Sequence, residues 1–206
     1  MGAESRVQRR MLATRERLVN CALALFAKNG IYQTTVEEIT EAADVGKGTF
    51  YEHFPSKGAI IQHLLHVGFQ ELLSQCRNEV RLAATTKERL KRLLRAQFQF
   101  FEDRRDLLIL FHQVRGLVKL QPDETRLLQK EYKDYIRFLS EQLGALLDRR
   151  RYSDSTLKQM AFAMAGFVTG YLSYLVITDA KDDEMRDLTV PFRIFLEGIG
   201  GNGRHD

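Results

Sequence analysis

Residues 33–57 read Gln-Thr-Thr-Val-Glu-Glu-Ile-Thr-Glu-Ala-Ala-Asp-Val-Gly-Lys-Gly-Thr-Phe-Tyr-Glu-His-Phe-Pro-Ser-Lys, and the order of these side chains decides the fold. Thr35 followed by Glu38 is a capping box, in which the hydroxyl accepts the N3 amide and the carboxylate reaches back to the cap. Val36, Ile39 and Ala43 then bury one side of a short helix. A turn at Asp44–Gly46 starts another helix, and Pro55-Ser56 breaks it. Two short helices joined by a turn of about four residues make a helix-turn-helix, whose second helix can lie in a major groove.

Spacing of i, i+4 sorts that second helix into faces. Phe50 and Phe54 share one face, suited to a small core. Lys47 and Tyr51 share another, and Thr49 and His53 a third. The polar surface suits DNA. Lys47 and Lys57 can meet phosphates, Thr49 and His53 can hydrogen-bond, and Tyr51 can stack on a sugar or a thymine methyl. Gly48 leaves room for close approach, and Thr35 stands at the mouth of the preceding helix. A merely solvated helix face is the competing reading of this spacing.

Working outward, Leu18, Ala22, Leu25 and Phe26 form the apolar face of an earlier helix that ends at Asn29-Gly30, a left-handed C-cap. Ser56 caps a long helix carrying Ile60, Leu64 or Leu65, Phe69 and Leu72. Charge is uneven across this region. Residues 1–35 hold six basic side chains (Arg6, Arg9, Arg10, Arg15, Arg17, Lys28) against two acidic, while residues 36–57 hold two basic against five acidic. The motif itself is therefore acidic, and the Arg-rich arm is the basic partner, either a clamp on DNA or a solvated tail. For Arg15 and Arg17, already on the first helix, the expectation is phosphate contact.

Residues 12–65 resemble the DNA-binding region of the TetR/AcrR family of bacterial repressors. The carriers are Ala22-x-x-Leu25-Phe26-Ala27-x-x-Gly30, then Thr34-Thr35-Val36-x-x-Ile39-x-x-Ala42-Ala43, then Lys47-Gly48-Thr49-Phe50-Tyr51-x-His53-Phe54-x-Ser56-Lys57. Two positions depart from the family pattern. The turn residue that is usually glycine is Asp44, and the usual serine cap of the recognition helix is Gly46. The resemblance implies a ligand-responsive repressor whose homodimer binds a pseudo-palindromic double-stranded operator and lets go when a small effector binds the C-terminal half.

The rest of the chain is helical by periodicity, with helices expected at 86–103, 105–117, 123–150, 155–178 and 187–199. The fold expected is all-α, about nine helices, with a three-helix head joined by a long helix to a bundle. The domains expected are 1–57 (arm and DNA-binding head) and 58–206 (ligand binding and dimerisation). Between Lys158 and Asp179 there is no charge, and Gly166-x-x-x-Gly170 has the spacing of close-packed membrane helices. Gln159, Thr169, Tyr171, Ser173 and Tyr174 spread polar groups along it, so a buried helix of a soluble bundle is expected. Met160, Met164, Phe167, Tyr171 and Tyr174 form one stripe of it. Phe162, Gly166, Gly170, Ser173 and Ile177 form a flatter one, and the last helix carries Leu188, Phe192, Phe195 and Ile199. Dimer contacts are expected at Phe162, Gly166, Gly170, Ser173, Phe192, Phe195 and Ile199. A mostly apolar effector pocket is expected among Phe101, Phe111, His112, Arg115, Tyr135, Phe138, Phe167 and Tyr171, although each aromatic also suits an ordinary core.

Composition agrees. With 206 residues, 44% of them hydrophobic and 28% charged, the chain can bury a core, which excludes disordered and low-complexity classes. The net charge of +4 is too weak to argue for nucleic acid by itself. Cys21 and Cys76 have no metal-ligand spacing and suit free thiols of a reducing cytoplasm. No secretory leader is read in residues 1–11. Catalytic motifs such as a nucleophile elbow, His-Glu-x-x-His or a Walker loop are not read anywhere, so no enzyme, cofactor, metal or membrane partner is expected.

Overall fold

A computed structural model describes residues 2–117, 122–147, 152–177 and 189–200, and every regular element among them is a helix. In chain order these are α1 (Gly2–Asn29), α2 (Val36–Ala42), α3 (Lys47–His53), α4 (Lys57–Arg81), α5 (Thr86–Asp103), α6 (Arg105–Leu117), α7 (Pro122–Leu146), α8 (Asp154–Ile177) and α9 (Thr189–Gly200). Their ends fall within a few residues of the expected ones. The N-terminal arm differs: it continues α1 without a break, because nothing between Ala3 and Asn29 is Gly or Pro and good helix formers dominate. Arg6, Arg9 and Arg10 therefore sit exposed on a helix.

The chain divides into two compact units. One comprises residues 1–68 and 105–131, the other 69–104 and 132–206. The head expected at 1–57 lies within the first unit, which adds the start of α4, all of α6 and the start of α7.

In the first unit α1 packs on α2 and α6, and α2 on α3. Leu18, Ala22, Phe26, Ile39, Phe50 and Ile60 are fully buried, with Phe54 nearly so. Each large side chain of this set contributes about 1.5–3 kcal/mol of transfer free energy, an upper figure because unfolded chains already bury some surface. Gly68 lets α4 approach α6 closely, since a Cβ there would lie 3.1 Å from Leu107 Cδ1.

In the second unit α5 packs against α8 and α9. Leu90, Leu93, Leu94, Gln97, Phe98 and Phe101 form the buried stripe of α5. The inward face of α8 is Leu157, Ala161, Met164, Ala165, Val168 and Leu172. Of the stripe expected there, Met164 is buried, Met160, Phe167 and Tyr171 are half-buried, and Tyr174 is exposed. A helix apolar on every side offers several stripes, and its neighbours choose among them. Among the described residues no helix is long and apolar enough to cross a membrane.

Candidate nucleic-acid interface

A side-chain capping box starts α2, and backbone hydrogen bonds shape its turn into α3. Thr35 Oγ1 accepts from Glu38 N at 3.2 Å, and Thr35 N donates to Glu38 Oε2 at 2.7 Å, completing the capping box. At the other end Asp44 N donates to Glu41 O and Val45 N to Thr40 O, with Asp44 itself in the left-handed region at φ 52°. Asp tolerates that conformation better than most residues, which is how the turn forms without a glycine. Gly46 takes the N-cap position of α3 with extended backbone and no side-chain cap bond.

Phe50 and Phe54 point into the core of the unit, their rings 6.0 Å apart, and Tyr51 meets Phe50 edge-on at 5.4 Å. On the outside are Lys47, Gly48 and Tyr51, the last 48% exposed, with Thr49 and His53 half-buried beside them. Nothing lies within 4 Å of a Cβ built on Gly48, so the surface there is open. Thr35 is exposed at the start of α2. The structure thus brings Thr35, Lys47, Gly48, Thr49, Tyr51 and His53 onto two adjoining helices. Lys47 Nζ donates to Glu37 Oε1 of α2, and this pairing holds the Glu37 carboxyl below its usual range and raises the Lys47 ammonium.

Lys57 has a different setting from the expected phosphate contact. Its ammonium donates to Ile31 O at 2.8 Å and Thr34 O at 2.9 Å, tying the α1–α2 loop to the start of α4. Two of its three N–H groups are used there, because the loop's carbonyls have no helix partner of their own. Arg15 is likewise turned inward, against the expectation of phosphate contact. It lies over the Phe54 ring at 4.3 Å and donates to His53 O at 3.1 Å, satisfying an orphan carbonyl at the end of α3. Its other nitrogen is 3.4 Å from His63 Nδ1; burial first, and then the Arg15 charge, lower the His63 pKa.

Gln113 of α6 was not singled out by the sequence. Its amide donates to Phe26 O at 3.0 Å and accepts from Ile31 N at 2.9 Å, clasping the end of α1 where Gly30 turns the chain at φ 88°. The peptide of Ile31 is therefore held from both sides, its N–H by Gln113 and its carbonyl by Lys57.

The residues expected around an effector fall in both units. In the first, Phe111 is buried and His112 half-buried, while the Arg115 side chain lies outside the described residues. In the second, Phe101, Tyr135 and Phe138 are buried, and Phe167 and Tyr171 are half-buried. Phe98 gathers three rings of this unit, Phe167 at 6.0 Å, Tyr171 at 5.6 Å and Phe192 at 5.6 Å. A polar pair sits inside the same unit: Tyr135 Oη donates to Gln97 Oε1, and Gln97 Nε2 donates to Leu93 O and Met164 Sδ. Gln97 was legible only as an interruption of the α5 apolar stripe.

Of the residues expected in a dimer contact, Phe162, Gly166 and Gly170 are exposed on α8, and Ser173 is half-buried, donating to Thr169 O. Phe192 and Phe195 are turned inward in their own protomer, Phe192 against Phe98 and Phe195 stacked on Phe167 at 5.3 Å. Among the described side chains of α9, the outward apolar ones are Val190 and Ile194, 49% and 62% exposed. The Ile199 side chain and Leu188 lie outside the described residues.

With this geometry in place, residues 18–64 match the family model for bacterial regulatory proteins, tetR family. The match covers the DNA-binding head, residues 18–64, and marks it as similar to that family. Among curated relatives, the uncharacterized HTH-type transcriptional regulator YerO of Bacillus subtilis is 36% identical over 98 residues, 47% of this chain and 34% of that protein. The HTH-type transcriptional repressor KstR2 of Mycobacterium tuberculosis is 30% identical over 117 residues, 57% of this chain and 58% of that protein. The matches thus span between a third and three fifths of those relatives' length. The likeness of fold extends over nearly the whole chain. The fatty acid degradation regulator FadR of Bacillus halodurans superimposes with a TM-score of 0.78 at 20% identity, covering 94% of this chain and 97% of that one. FadR of Bacillus subtilis, solved with stearoyl-CoA, gives 0.77 at 19% identity, covering 89% and 98%.

Proposed function

We propose that this chain is a ligand-responsive transcriptional repressor rather than an enzyme, working in the cytoplasm. Its dimer holds a pseudo-palindromic operator and leaves it when a small, mostly apolar effector binds the C-terminal helices. The observation that carries this reading is the head: a fully capped α2, a left-handed turn and a short α3 that buries Phe50 and Phe54 while presenting Lys47, Gly48 and Tyr51. Such a helix pair fits one major groove, and a two-fold dimer presents two. Thr35, Thr49 and His53 border the same surface, and Lys57 serves it by fixing the loop that leads into α2.

For the dimer, the exposed Phe162, Gly166 and Gly170 of α8 with Val190 and Ile194 of α9 supply an apolar, small-residue surface to meet its copy. For the effector, the rings around Phe98 and the buried Tyr135–Gln97 pair supply an apolar environment with one polar feature. Release follows from differential affinity of the effector for two head arrangements. Stearoyl-CoA, present in the Bacillus subtilis FadR structure, is the first effector to test.

The experiment is fluorescence-anisotropy titration of duplex DNA against the full chain, Lys47→Ala and Tyr51→Ala. Salt-dependent binding by the wild type and weakened binding by both folded variants support the groove assignment; undiminished binding by both refutes it. An adaptor that uses its helix-turn-helix on proteins would instead show no steep salt dependence on DNA.

A further inference from the structure

The surface that would meet DNA carries more acid than base: residues 36–57 hold two basic side chains against five acidic. Between Val36 and Ser56 the only Lys or Arg is Lys47, and it is paired with Glu37. Lys57, the next cation, spends two N–H groups on loop carbonyls. Glu38 accepts from both the amide and the hydroxyl of Thr35, so Glu37 is the α2 carboxylate that reaches across to the recognition helix. Glu37 and Lys47 are 62% and 55% exposed, hence on the surface that meets a ligand. Tyr51, one turn further along α3, shares the face of Lys47.

We propose that Glu37 is a specificity-determining residue: it holds the Lys47 ammonium against α2, and releases it only to a duplex that offers Glu37 a hydrogen-bond donor of its own. The inference rests on the DNA-binding reading above. A phosphate that attracts Lys47 also repels Glu37 and breaks their pair, so backbone contact alone gains little. A cytosine N4 or adenine N6 amino group in the major groove donates to the carboxylate and compensates for the lost pair. Sequence-independent binding is thereby suppressed relative to binding at a matched site.

The test uses the full chain and two duplexes, one of random sequence and one enriched by the wild type from a random pool. Binding is measured against salt concentration for wild type, Glu37→Gln, Glu52→Gln (a second exposed carboxylate, on α3) and Glu37→Gln combined with Lys47→Met. Freed from its partner, Lys47 adds one phosphate contact per head. That steepens the salt slope by about 0.9 and raises random-duplex affinity about eight-fold at ~0.1 M salt for each engaged head. The expected result is this gain for Glu37→Gln, a smaller gain on the enriched duplex, little change for Glu52→Gln, and loss of the gain when Lys47 is also replaced. Equal effects of Glu37→Gln and Glu52→Gln, or equal gains on both duplexes, would overturn the proposal while leaving DNA binding intact. If neither wild type nor Glu37→Gln binds either duplex with salt dependence, the DNA-binding reading itself falls, and the proposal with it.

Discussion

Replacing Gln113 with Ala removes one side-chain amide that bonds two backbone groups, Phe26 O and Ile31 N–H. The Ile31 N–H, 2.9 Å from Gln113 Oε1, is left without that acceptor on a residue only 5% exposed. An orphaned donor of this kind costs about 1–3 kcal/mol. The Phe26 carbonyl loses Gln113 Nε2 but keeps Gly30 N at 3.0 Å, so its share is an ordinary hydrogen bond of about 0.5–1.5 kcal/mol. Both contacts are part-buried and water reaches some of the space a truncation opens, which places the sum near 2 kcal/mol, toward the low end of the two ranges. Gln113→Glu separates the two contacts, because a carboxylate still accepts from Ile31 N–H but cannot donate to Phe26 O. Native-state hydrogen exchange read at Ile31 is the assay. About 2 kcal/mol corresponds to roughly 30-fold faster exchange in Gln113→Ala, with Gln113→Glu in between. Exchange at Ile31 unchanged in Gln113→Ala, with a urea midpoint equal to the wild type's, would refute the clasp.

Gly30→Ala is expected to cost about 1–2 kcal/mol in urea unfolding from backbone strain at φ 88°, since a Cβ there meets nothing within 4 Å. Burial pushes the Cys76 thiol up to about 12 from 9.0, so the folded state disfavours the thiolate. Above pH 9 the unfolded chain ionises first and the native chain does not, so stability is intact below that pH and falls as it rises. Relative to Cys76→Ala, the wild type should lose up to about 1.4 kcal/mol for each pH unit between 9 and 12; parallel urea midpoints of the two proteins at pH 8 and pH 10 would contradict this. Gly170→Arg places a charge on the exposed face of α8 and is expected to shift the sedimentation profile from dimer to monomer at micromolar concentration.

The head was legible because its signals are local. Thr35 and Glu38 are three residues apart, Phe50 and Phe54 are one helical turn apart, and Gly30 and Ser56 mark helix ends by their own backbone or hydroxyl chemistry. The inward turns of Arg15 and Lys57 were not legible. A cation near a DNA-binding motif reads as a phosphate contact, and only the assembled fold shows that Phe54, His53 O and the loop carbonyls need it more. Gln113 reaches residues 82 and 87 positions away, a separation at which helical periodicity carries no information. In α9, apolar residues stand on every side, so the stripe through Phe192 and Phe195 looked fit for a partner chain, whereas Phe98 and Phe167 of the same chain take it and leave Val190 and Ile194 outside.

We propose that paired heads read a two-fold DNA site through α3. Selection of bound fragments from genomic DNA by the purified full chain, repeated with Lys47→Ala, tests it most directly. The predicted result is a recurring inverted repeat whose half-sites are about one helical turn or a multiple of it apart, lost with the variant. No enrichment over input, or the same fragments recovered by Lys47→Ala, would contradict it.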